Sequence, residues 1–138
     1  MTDLLSALAS LGTTIGVFVA AWQLWLAHRQ SVTNFEDSFA KEYRELATKL
    51  PAAALLGEDI SEDEYKRVFE HLYHYFDLCN EQAFHHKIGR VTPSTWVFWC
   101  DGMKSNLARP VFKRGWKEVC KRSGKDFAEL RELFPCDD

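Results

Sequence analysis

From Leu4 to His28 the chain runs for 25 residues without Asp, Glu, Lys or Arg. A helix rises about 1.5 Å per residue, so about 20 such residues cross a hydrocarbon core of about 30 Å. The run therefore predicts a membrane-spanning helix within residues 1–29. A buried core helix is usually shorter and amphipathic, and a cleaved signal peptide would open with basic residues and close on a small-residue cleavage site; the run has neither feature. After it the pattern becomes helical and amphipathic. Phe35, Phe39, Tyr43, Leu46 and Leu50 recur at helical spacing up to Pro51, and no breaker separates Arg29 from Phe35, so this helix is expected to continue from the first. AAALLGEDI reads as a connection.

A second amphipathic helix is expected to start at Ser61, with Glu64 completing a Ser-x-x-Glu capping box, and to carry Tyr65, Val68, Phe69, Leu72, Phe76, Cys79 and Ala83 inward until Gly89. Thr92-Pro93 marks the cap and first turn of a third, with Trp96, Trp99, Met103 and Leu107 on its buried side. Pro110 opens a fourth, with Val111, Phe112, Trp116, Val119 and Cys120, and Gly124 closes it. Asp126 is placed to cap a short last helix bearing Phe127, Leu130, Leu133 and Phe134. No segment alternates as a strand does. The pattern predicts an all-α chain: one N-terminal transmembrane helix over residues 1–29, then a compact helical domain of about five helices over 30–138.

Composition narrows this. Of 138 residues, 46% are hydrophobic and 14% aromatic, which excludes a disordered chain and allows one domain of ordinary size. Four cysteines without a Cys-x-x-Cys pair support neither a disulfide scaffold nor a structural zinc. Asp3 precedes the apolar run while His28, Arg29, Lys41 and Arg44 follow it. Positive charge stays inside, which predicts a single-pass inner-membrane protein with its N-terminus out and its C-terminal domain in the cytoplasm. There Cys79, Cys100, Cys120 and Cys136 would remain thiols. Gly12, Gly16 and Ala20 fall on one helix face near Gln23, a surface that lets helix backbones approach and predicts a homo-oligomer.

The net charge of −3 hides an asymmetry. Residues 55–85 hold eight acids against two bases, net −6, and residues 104–125 hold eight bases against Glu118, net +7. Lys113, Lys117 and Lys121 lie four apart on one helix face. Three readings stay open for this basic face: a solvated surface partly neutralised by the acidic helix, attraction to anionic membrane lipid, or recognition of a phosphate-bearing ligand. For the third, the candidate ligand-binding residues are Asn80, Gln82, His85, Arg90, Lys104, Asn106 and Arg109. Arg and Lys neutralise phosphates, and oriented amides read a base edge. No DNA partner is expected.

Catalytic chemistry has little support. Phosphate-binding glycine loops, His-Glu-x-x-His and Gly-x-Ser-x-Gly are absent from the sequence. Glu70…His74 and Glu81…His85 are each four apart, where a helical di-iron site needs three. The expectation is a protein that is no enzyme and takes no metal or cofactor.

The stretch from Phe76 to Trp116 carries Phe76-Asp77-Leu78, Asn80-Glu81-Gln82, Gly89-Arg90, Trp96, Trp99, Gly102, Asn106, Pro110, Phe112 and Trp116. It resembles a pattern of small bacterial membrane-anchored helical proteins. The overall plan also looks like the type III CRISPR accessory membrane effectors that bind cyclic tetra-adenylate. That resemblance implies a tetrameric, membrane-perturbing antiphage effector whose ligand is a cyclic oligoadenylate.

Overall fold

The computed structural model describes residues 1–136. Among them the protein is all-α, with six helices and no strand. They divide into two compact units, Met1–Phe35 and Glu36–Asp138. The helices are α1 (Thr2–Ala47), α2 (Ala52–Leu56), α3 (Glu62–Lys87), α4 (Pro93–Leu107), α5 (Pro110–Arg122) and α6 (Ala128–Leu133).

In the first unit α1 is long and apolar enough to cross a membrane, and its apolar window has no buried residue. Two of its hydroxyls are satisfied within the helix: Thr13 and Thr14 each donate to the carbonyl four residues back, at 2.9 Å, which lowers the cost of bringing them into hydrocarbon. Near its basic end Trp22 packs on Trp25 at 5.3 Å, and the Arg29 guanidinium lies 4.9 Å over the Trp25 ring.

In the second unit α3 is the central element. Its stripe of Leu72, Phe76 and Cys79 is almost wholly buried. α5 packs against it, and Gly115 makes the approach close: a Cβ there would lie 3.2 Å from Leu72 Cδ1 and 3.3 Å from Phe76 Cε2. Phe112 and Val119 of α5 complete this core, each 1% exposed.

The helix boundaries follow local chemistry in most places. Ser61 Oγ accepts the Glu64 N–H at 3.3 Å, and Pro93 and Pro110 occupy first-turn positions. Three expectations need correction. AAALL is the short helix α2 rather than a connection, since five good helix formers follow Pro51 and Gly57 closes them at φ +84°. α6 is capped not by Asp126 but at Phe127, which adopts a left-handed φ of 62°. The buried Phe127 ring, edge-on to Tyr73 at 5.4 Å and to Trp116 at 6.0 Å, holds that conformation. Cys120 and Cys136 are not thiols; they form a disulfide across a Cα–Cα separation of 6.0 Å, because the chain after α6 returns to the end of α5. Cys79 and Cys100 are free.

Candidate ligand cavity between α1, α3 and α4

The C-terminal part of α1, the middle of α3 and most of α4 leave a cavity of about 420 Å³ between them. That lies within the range of small-molecule sites, about 300–1,000 Å³. α1 supplies Tyr43 and Arg44, α3 supplies Tyr75, Cys79 and Gln82, and α4 supplies Phe98, Trp99, Asp101, Gly102, Met103 and Asn106. On α3 one helical turn separates Tyr75 from Cys79 and Cys79 from Gln82, so the three form a ladder along one face.

The deep wall is polar but neutral. Asn106, 4% exposed, donates from Nδ2 to the Tyr75 hydroxyl at 2.9 Å and to the Tyr43 hydroxyl at 3.4 Å. Its Oδ1 accepts from Arg109 Nη1 at 2.6 Å. Burial pushes the Tyr75 hydroxyl well above the usual tyrosine range, and burial likewise pushes the Cys79 thiol up to about 12. Both stay protonated at neutral pH. Cys79 is thus a poor nucleophile, since reactivity belongs to the thiolate. Charge is confined to the exposed Arg44 and Asp101 at the rim.

Gln82 differs from Asn106. It is 6% exposed and lines the cavity, yet its amide makes no hydrogen bond to another described residue. Its amide atoms keep some access to solvent, and the cavity is where a ligand can reach them.

The seven expected ligand residues do not converge. Gln82 and Asn106 line the cavity, and Arg109 braces Asn106 from behind. Asn80 is committed elsewhere: its Oδ1 accepts the Leu130 N–H at 3.0 Å and so caps α6. His85 sits among rings, 5.7 Å from Phe39 and 5.4 Å from Phe84, with Nε2 3.6 Å from Glu81. Arg90 lies exposed in the α3–α4 turn, and exposed Lys104 faces Asp101 at 3.9 Å. Reasoning from the sequence missed Tyr43, Tyr75, Phe98 and Gly102 as parts of a wall. Tyr43, Trp99 and Met103 were visible only as apolar positions of a stripe, which is also how core residues look.

Outside the cavity, Lys113, Lys117 and Lys121 border an open groove along α5. Glu118 beside them is engaged by the Tyr65 hydroxyl at 2.8 Å and by Arg122 at 2.9 Å. Arg114 pairs with Glu62 of the acidic helix at 2.7 Å and lies 3.6 Å over the Tyr65 ring. Of the α5 bases, Arg114 is thus paired with α3 and Arg122 with Glu118 of its own helix.

Comparison with known protein families, with characterised proteins and with solved structures gives no match to this chain.

Proposed function

We propose that the chain is a membrane-anchored, non-catalytic effector whose helical domain binds a cyclic oligoadenylate, with cyclic tetra-adenylate the expected member. The observation that carries this reading is the cavity with its neutral polar wall, aromatic sides and unpaired Gln82 amide. At about 420 Å³ it has room for one nucleoside-sized body and not for a ring of four nucleotides. A fourfold ligand then calls for one cavity from each subunit of a homotetramer. In this reading Arg44 at the rim takes the phosphate-facing place that the sequence had given to Arg90, Lys104 and Arg109. The apolar part of α1 is the membrane anchor, and the domain lies in the cytoplasm of a bacterial cell, where such a messenger is made. Ligand binding then acts on the membrane only if the two packings of the anchor helices differ in affinity for it.

Isothermal titration of the full chain in nanodiscs with cyclic tetra-adenylate tests the reading. Saturable heat supports it; its absence from a folded sample contradicts it. The alternative is a tethered scaffold that binds a protein partner or anionic lipid without a nucleotide. It is favoured by one observation, the exposed Lys113–Lys117–Lys121 face. Hydrogen–deuterium exchange along α5 of the full chain in phosphatidylglycerol against phosphatidylcholine nanodiscs, compared with a triple Lys→Gln variant, separates the two.

A further inference from the structure

We propose that the α1–α3–α4 cavity takes one uncharged nucleobase, inserted ring-first, and that the Gln82 amide reads its hydrogen-bonding edge. This deepens the function proposed above and rests on it for the phosphate-bearing remainder of the ligand. The base-reading itself stands on the cavity alone.

Gln82 is a cavity-lining amide without a task in the packing. It is 6% exposed, borders the cavity and has no hydrogen-bond partner among the described residues. Its amide presents a donor and an acceptor side by side. A nucleobase edge presents the complementary pair, as adenine does through its N6 amine and N7. Asn106 carries the same group but is spent on Tyr75, Tyr43 and Arg109, so it shapes the wall and leaves the reading to Gln82.

The remaining surroundings fit a flat, neutral ring. Tyr43, Phe98 and Trp99 offer faces and edges of the kind on which bases stack. Among the described residues no charged side chain lines the interior, since Arg44 and Asp101 are both exposed. A phosphate entering the cavity would lose its hydration with no cation to meet it, so the phosphate stays at the rim. Gly102 keeps the rim open. It lies inside α4, borders the cavity, and a Cβ built there meets nothing within 4 Å. The glycine is not required by packing, and a larger side chain at this position would occupy the entrance.

The test uses the full chain in nanodiscs, with adenosine, guanosine, cytidine and uridine as probes in saturation-transfer NMR. Two variants accompany wild type: Gln82→Met, which keeps the volume and removes the amide, and Gly102→Leu, which fills the entrance without touching the core. The expected result is saturation transfer from wild type to at least one nucleoside. Binding should be at least tenfold weaker in Gln82→Met, the worth of one buried hydrogen bond. It should be lost in Gly102→Leu while that variant melts no lower than wild type. Absence of transfer to every nucleoside from folded wild type overturns the proposal, as does binding that is unchanged in both variants. Should Gln82→Met fail to fold, Gly102→Leu decides alone. Titration with cyclic tetra-adenylate keeps the two claims apart. Heat that survives both variants retains the effector and rejects this site. Gln82-dependent nucleoside binding without heat from the cyclic ligand retains the site and rejects the effector.

Discussion

The carboxylate of Glu36 caps a helix 56 residues away, accepting the Thr92 backbone N–H at 2.7 Å through Oε1. Its Oε2 accepts the Thr95 hydroxyl, also at 2.7 Å. Thr92 occupies the N-cap of α4, but its own hydroxyl turns to Thr95 Oγ1, so Glu36 does the capping. A negative group at this position meets both an orphan donor and the positive end of the helix dipole.

Burial works against ionisation of Glu36, but the hydrogen bonds from Thr92 and Thr95 outweigh it and hold the carboxyl below its ordinary 4.5. A depressed folded pKa means the contribution is complete above the unfolded value and is lost as pH falls through the folded one. Glu36→Ala is expected to cost about 1–2 kcal/mol at pH 7. The gap to wild type in thermal melts should narrow as pH drops below 4.5. A gap that stays constant from pH 7 to pH 3 would show that the carboxylate is not the cap.

Gly115 and Gly102 make opposite predictions. Gly115→Val drives a branched side chain into Leu72 and Phe76, both 0% exposed and already filling the interface. Overpacking of this kind costs about 1–3 kcal/mol. Gly102→Ala meets open space and removes a helix-interior glycine, so it is expected to stabilise by about 0.5–1 kcal/mol. Chemical denaturation of both variants checks the pair of signs.

The Cys120–Cys136 bridge and the charge rule pull in different directions on topology. In the proposed topology, Arg29 behind the apolar run puts the helical domain in the cytoplasm, where glutathione and thioredoxin keep most thiols reduced. The account expects a C-terminal fluorescent-protein fusion to glow. It also expects the purified, oxidised chain to be more stable than the reduced one by about 3 kcal/mol, for a loop of about 15 residues. The loss should fall on α6 and on the Trp116 Nε1–Phe134 carbonyl bond of 3.1 Å. An active C-terminal alkaline phosphatase fusion with a stable bridge in cells would place the domain outside and remove the cytoplasmic messenger as its ligand.

Where structure is set by neighbours in sequence, the sequence was readable. Ser61 with Glu64, Pro93 and Pro110 fix helix starts through their own backbone chemistry, and each stands where that chemistry puts it. Where a partner is distant, it was not. Asn80 was read as a ligand group because an amide suits a base edge. Nothing local shows that its oxygen is taken by Leu130, fifty residues on. The Cys120–Cys136 pairing depends on α6 turning the chain back, and α2 is too short to show a period. The cavity was half visible. Gln82 and Asn106 were chosen for their chemistry, but only the packing of three helices separates the spent amide from the idle one.

Hydrogen–deuterium exchange on the full chain in nanodiscs, with and without cyclic tetra-adenylate, tests the central claim most directly. The account predicts slowed exchange in peptides covering residues 40–44, 75–82 and 98–106, the three walls of the cavity, and none along Lys113–Lys121. Protection confined to the α5 groove, or no protection anywhere at saturating ligand, would contradict it.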